Sequence, residues 1–251
     1  MRCVIVQPSY LPWRGTFALL ATADVHVVYD CVQYDARGWR NRNRIKTASG
    51  PTWLTVPVHR RGVQQEQTPV HAVTIDRTRD WRTQHLRTVQ HAYARAPHRD
   101  FLLDLLEAAL PRDAERLVDV TVPATRLLAD TLGVRPARHL RSSELTGVAG
   151  ARTERLLSVL QAVGATTYVS GPSAREYLDV ALLASHGIAT EWMCYDTAPY
   201  PQLHGAFEPH VSVLDLLAMT GPDAAQHVRG RSEPAPAPEA ECAVRATGAA
   251  A

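Results

Sequence analysis

The chain is poor in most of the residues that announce a function outright. Its four cysteines, Cys3, Cys31, Cys194 and Cys242, form no CxxC pair, so neither a disulfide framework nor a zinc ribbon is indicated. Lys46 is the sole lysine among 27 basic residues, and the formal net charge is only +2. That balance argues against a nucleic-acid partner or an anionic membrane surface. No run approaches the roughly 18 apolar residues that cross a bilayer, and Met1 to Val6 leads directly into strand-like sequence with no basic leader. A cytoplasmic protein is therefore expected. His59, His71, His91 and His98 lack metal-ligand spacing, so no metal site is expected, and the residues name no cofactor.

What is present is a core. With 251 residues, 45% of them apolar, the chain has enough for one α/β domain over 1–229 with a mainly parallel sheet. Residues 2–6 read as a central strand apolar on both faces, Gly15 to Ala23 as a short helix, and Val25 to Tyr29 as a second strand, together a βαβ unit. Trp53 to Val58 and Val70 to Ile75 look like further strands flanking a polar, Gln-rich loop at 59–69, a candidate lid. From Trp81 the pattern turns helical. Trp81, His85, Val89 and Tyr93 share a face, Phe101 to Leu110 follows, and Ala114 to Leu132 gives a third helix in which Pro123 predicts a break and Gly133 a stop. This block, about 78–133, reads as a helical insertion. Alternation then resumes: a strand at His139 to Ser143, a helix capped by Thr153, a strand at Thr166 to Ser170, a helix from Ala174 to Ser185, a strand from Ile188 to Tyr195, and a last helix over Ser212 to Met219. The Pro-, Ala- and Glu-rich stretch 230–251 reads as a disordered tail.

Polar chemistry concentrates at strand ends. Gln7 and Tyr10 follow the first strand in a Pro-shaped loop and are candidate ligand contacts. Asp30 ends the second strand beside Gln33, where a carboxylate accepts from a substrate amine, orients an arginine, acts as a general base, or forms a buried salt bridge to Arg42 or Arg44. Asn41-Arg42-Asn43-Arg44 interleaves amides with guanidinium groups suited to carboxylate, phosphate or sugar hydroxyls. If extended, residues 41 and 43 share one face and 42 and 44 the other; the Asn pair with Arg42 is expected to hold the substrate. His85 is the histidine best suited to acid/base work. Ser170-Gly171 precedes an expected helix start that suits an anion, Ser143 closes the neighbouring strand, and Tyr200 and Gln202 would roof the same crevice. Cys31 is expected to be a small buried side chain rather than a nucleophile.

The order Gln7-Pro8-Ser9-Tyr10-Leu11-Pro12-Trp13-Arg14-Gly15-Thr16-Phe17, then Tyr29-Asp30-x-Val32-Gln33-Tyr34 through Arg37-Gly38-Trp39 to Asn41-Arg42-Asn43-Arg44-Ile45, then Trp53-Leu54-Thr55-Val56-Pro57-Val58, resembles the WbqC-like family. The resemblance continues through Trp81, His85 and Tyr93 to Tyr168-Val169-Ser170-Gly171, Tyr200-Pro201-Gln202 and Ser212 to Leu217, spanning about residues 2 to 221. It implies an enzyme of polysaccharide or natural-product biosynthesis. The reaction implied is acyl or aminoacyl transfer to an amine of a sugar- or amino-acid-type small molecule, with a carrier protein or CoA thioester as candidate donor. Many members carry an acidic residue where Cys31 stands, and some carry histidine where Val6 stands. The strand, loop, helix, Asp-x-Val-x-Val spacing also resembles HUP-type nucleotidyltransferases, a HUP- or Rossmann-like first half. Trp13 and Thr16, however, occupy the positions of that motif's two histidines, which counts against adenylylation. The alternatives to transfer are therefore an ATP-using enzyme and a non-catalytic scaffold of a biosynthetic complex.

Overall fold

The computed structural model describes residues 1–59, 61, 63 and 65–236. Strand β1 (Arg2–Val6) lies near the centre of a six-stranded sheet, flanked by β2 (Val25–Val28) and β6 (Thr167–Ser170). Its residues alternate between two cores: Val4 faces one cluster while Cys3 and Ile5 face the other. A strand covered on both sides has no polar face to alternate with, hence the unbroken apolar run. The full order is β5 (Arg138–Arg141), β2, β1, β6, β7 (Ala189–Tyr195), β8 (Gly230–Pro234). All neighbours are parallel except β8, which runs antiparallel to β7.

Helix α1 (Arg14–Leu20) returns β1 to β2 and buries Phe17, Ala18, Leu19 and Leu20 in the larger core. The same core takes residues from α2 (Trp81–Ala92), α3 (Arg99–Ala109), α4 (Val118–Thr131) and α7 (Val213–Thr220). On the opposite face α5 (Arg152–Val163) and α6 (Val180–Ser185) supply Leu156, Leu160, Val163 and Leu183. Between β2 and the helical block stands a separate antiparallel hairpin, β3 (Arg42–Thr47) with β4 (Gly50–Thr55). The four residues of the expected α2 face are all buried, Trp81, His85, Val89 and Tyr93.

Several expectations are corrected. Val70–Ala72 is a 3-10 turn, and only isolated bridges, Val58 with Ile75 and Thr74 with Arg116, follow it; Val70, Val73 and Ile75 are apolar because they plug the core. The β4 strand starts at Gly50 and ends before Pro57, whose missing N–H suits a strand end. Pro123 lies inside α4 without breaking it; it and Asp119, whose carbonyl loses its donor, are exposed, so water can replace the bond. Thr153 does not cap α5; its hydroxyl accepts from the Asp179 N–H instead. The helix expected from Ala174 to Ser185 is a 3-10 turn at Pro172–Glu176 and then α6, started by Asp179, whose carboxylate accepts from the Leu182 N–H. The segment read as a tail from 230 begins with the edge strand β8, and residues 237–251 lie outside those described. Within the 59–69 loop, residues 60, 62 and 64 also lie outside them.

Candidate functional site

Counted by appearance within the sheet, the strand order is 3-2-1-4-5-6, so the connections leave β1 and β6 toward opposite edges. Open parallel sheets leave a crevice beyond the carboxyl ends of the strands at such a point. The crevice here is a cleft of about 1590 Å³, and it is lined by the residues that end or follow the parallel strands: Gln7, Tyr29, Arg141, Ser170 and Tyr195. Its walls are aromatic at the mouth. Trp13, at the start of α1, stands edge-on to Tyr195 with ring centroids 5.0 Å apart and lies 5.6 Å from the His210 ring. Gly15 permits this: a Cβ there would overlap the Trp13 indole. Trp39 closes the hairpin side and is 41% exposed.

The cleft's charge is mostly cationic, and one cation stands out. Arg40 lines it, its Nε is buried, and no group of the described protein accepts a hydrogen bond from that atom. Burial pulls the Arg40 pKa down, while Asp35, also in the lining, pushes it back up; a guanidinium stays protonated through such shifts. The residue as a whole is half-buried, and a guanidinium nitrogen short of an acceptor is costly unless a ligand supplies one. The Gln7 side chain likewise makes no hydrogen bond among the described residues and is half-buried in the lining. Arg152, the first residue of α5, also lines the cleft and holds φ at 49°, a left-handed conformation rare outside glycine.

The structure divides the expected site residues sharply. Gln7, Asn43, Ser170 and Gly171 line the cleft. Gly171 has Tyr195 packed over it, so that a Cβ would come within 3.2 Å of the tyrosine oxygen. The element it opens is a five-residue 3-10 turn, too short for the anion-binding helix start expected from the sequence. Tyr10, Asn41, His85, Tyr200 and Gln202 do not line it.

Asp30 is fully buried, and every lone-pair direction is taken. It accepts from Arg141 Nε at 2.7 Å, from the Ser143 N–H at 2.9 Å, and from the Ser143 and Ser142 hydroxyls at 3.0 and 3.1 Å. The salt bridge weighed from the sequence exists, with Arg141 as partner instead of Arg42 or Arg44. Ser143 thus serves Asp30, and the pair clamps the end of β2 to the end of β5. Gln33 is exposed on the loop that follows and bridges to Pro69.

His85 is 4% exposed in the core, its Nδ1 2.8 Å from the buried Tyr10 hydroxyl. Burial lowers its pKa to about 4, so the folded protein binds fewer protons than the unfolded chain between about pH 6.5 and pH 4. Stability is then full above that window and is lost as the pH falls through it. We expect His85→Gln to remove about 2 kcal/mol of the stability difference between pH 7 and pH 5, read by denaturant titration at both values. An unchanged difference would contradict this placement.

The Asn41–Arg44 stretch is extended with alternating faces as expected, but the roles are exchanged. The asparagines brace the scaffold: Asn41 Nδ2 donates to the Val56 carbonyl at 2.8 Å and Asn43 Nδ2 to the Leu11 carbonyl at 2.7 Å. The arginines take the outer face, Arg42 lying 4.5 Å over the Trp53 ring and Arg44 5.7 Å from the Trp39 ring. Arg42 also donates to the Arg37 carbonyl at 2.7 Å.

Tyr200 and Gln202 belong to a polar cluster that the sequence reading missed. Asp215, fully buried in α7, accepts from Gln202 Nε2 at 2.7 Å, Tyr200 Oη at 2.8 Å and Tyr93 Oη at 3.0 Å. The sole lysine, Lys46, is 4% exposed beside it, donating to Gln202 Oε1 at 3.1 Å and to the Gly205 and Ala206 carbonyls. The signal was an aspartate inside the otherwise apolar run Val213 to Met219 and a lone lysine inside a strand. Arg40 was equally hidden, one arginine among several in the same stretch.

Among the described residues, no group of three or more His, Cys, Asp or Glu is placed to hold a metal ion, and no helix is long and apolar enough to cross a membrane. Fold and cleft define an α/β protein with a mostly parallel six-stranded sheet and a ligand-sized crevice at the switch in strand order. The chain belongs to the WbqC-like protein family, whose model matches residues 7–227. It is 39% identical over 232 residues to the uncharacterized protein Rv1507c of Mycobacterium tuberculosis, a match covering 91% of this chain and 97% of that protein. No solved structure matches it.

Proposed function

We propose that the protein is a group-transfer enzyme whose cleft holds a phosphorylated small molecule, anchored by Arg40. The buried, unpaired Nε of Arg40 carries this reading. A phosphate or phosphate-linked donor supplies the acceptors and the opposite charge that the guanidinium fork is built to meet. Gln7 offers amide hydrogen bonds elsewhere in the same lining, and Trp13 and Tyr195 offer aromatic surface to a base or sugar. The reaction proposed is acyl or aminoacyl transfer to an amine, with a CoA thioester or a carrier protein's phosphopantetheine arm as donor. Since Asp30 and His85 are committed to internal bonds, the proton acceptor proposed is His210, exposed at the mouth against Trp13.

The second reading is an ATP-using enzyme, favoured by the strand order and switch point, which HUP- and Rossmann-like sheets also have. A thermal-shift panel with CoA, acyl-CoA, nucleotide-sugars, ATP and AMP, each beside its dephosphorylated counterpart, separates them. A ligand that binds only the folded chain stabilises by about 2.7 kcal/mol at a hundredfold its Kd. Stabilisation by CoA species and none by ATP supports transfer. Stabilisation by ATP alone supports the second reading. Equal shifts with and without phosphate would remove the anion-binding premise of both.

A further inference from the structure

The cavity does not stop at the strand ends. His26 lies two residues before the end of β2, about 7 Å below the rim at strand spacing, and it lines the same cavity. In register with Val4, it faces the side of the sheet covered by α1 and α4. There Leu19 and Leu20 of α1 and Val122 and Ala129 of α4 give apolar walls. Two of the lining residues each carry a buried polar atom without a protein partner: Nε2 of His26, whose residue is 4% exposed, and Oγ1 of Thr125. The other ring nitrogen of His26 is engaged, its Nδ1 3.1 Å from Nδ1 of His139 on β5. Burial, with His139 second, holds the His26 pKa near 3. The ring is therefore neutral at ordinary pH and offers a single hydrogen bond at Nε2.

We infer that this chamber is a binding subsite for a short apolar chain bearing one hydroxyl group, which bonds to His26 Nε2 and Thr125 Oγ1. A plain alkyl chain would leave both buried polar atoms unsatisfied. A carboxylate or ammonium would be buried without a counter-charge, because the imidazole is neutral and Arg126, on the same wall, is exposed and solvated. A hydroxyl can donate to one atom and accept from the other. The subsite stands on its own geometry. Its service as the pocket for the transferred chain rests on the group-transfer reading.

The test uses the full chain labelled with ¹⁵N-histidine and four headless probes, butyramide and its 2-, 3- and 4-hydroxy forms, none of which can reach Arg40 through a phosphate. At least one hydroxy form should shift the His26 Nε2 resonance saturably, with an affinity on the order of millimolar for so small a ligand. It should bind roughly fivefold to tenfold more tightly than butyramide. Thr125→Val, close in shape, should reduce that preference by about half on a logarithmic scale, since the His26 bond remains, while leaving the rest of the spectrum in place. Equal effects of all four probes, no saturable shift, or a preference that Thr125→Val leaves undiminished would overturn the inference; a chamber that holds only water gives the second result. Failure of phosphorylated ligands to depend on Arg40 would instead sink the anchor and leave this result untouched.

Discussion

Asp30→Ala is expected to cost about 3 kcal/mol or more of folding stability, the range for removing one partner of a buried ion pair. The carboxylate takes four hydrogen bonds, three of them from the two serines and one from Arg141. Its loss strands the Ser143 N–H and a guanidinium whose side chain is only 29% exposed. Glu144, 3.4 Å from Arg141 Nη1, catches part of the orphaned charge, which sets the expectation at the lower end of the range. Asp30→Asn should cost less, because one oxygen still accepts from Ser143 while the new amide opposes Arg141 donor to donor. Denaturant midpoints at constant m-value measure both. A variant as stable as the wild type but without turnover would instead make Asp30 a catalytic base.

Asp215→Ala should be comparably severe, about 3 kcal/mol or more, from leaving several buried donors unsatisfied at once. Two tyrosine hydroxyls and the Gln202 amide converge on this carboxylate from the end of α2 and from the 200–208 loop, so its removal leaves two buried hydroxyls and a half-buried amide without their common acceptor, and takes the counter-charge from the vicinity of Lys46. Burial raises the Asp215 pKa despite those bonds. Its ionisation therefore subtracts stability as the pH rises through the folded-state value, opposite in sign to His85. Tyr93→Phe should cost less, since it removes one donor and leaves two. Thermal unfolding near neutral pH ranks the three proteins. A tolerant Asp215→Ala would mean that the cluster does not fasten the loop to α7.

The parts of this fold legible in the sequence were those whose burial imposes a period. Strand β1 is covered on both faces and reads as a short apolar run; α2 shows its buried face at every fourth residue. Strand β8 was illegible because Gly-Arg-Ser-Glu-Pro is an edge strand, held by its ladder to β7 and mostly exposed. Val70 to Ile75 misled for the converse reason, apolar residues buried one by one with no ladder to align them. In the site, alternation of Asn41 to Arg44 was legible but not which face met solvent. That depended on the Leu11 and Val56 carbonyls needing donors, and these come from distant segments. Asp30 shows the same limit: the sequence shows a carboxylate at a strand end, whereas Arg141, which occupies it, arrives 111 residues later.

Isothermal titration of wild type and Arg40→Met, with the phosphorylated ligand that stabilises the protein most, tests the central claim most directly. If Arg40 is the buried anchor, the substitution weakens binding roughly 30-fold or more, as expected for losing one partner of a desolvated charge pair. The dephosphorylated counterpart should bind both proteins alike, and melting of the unliganded variant should change little, because the buried Nε loses no hydrogen bond and the attraction to Asp35 is between partly solvated groups. Equal affinity of the phosphorylated ligand for both proteins would contradict the account and move the anion to another part of the molecule.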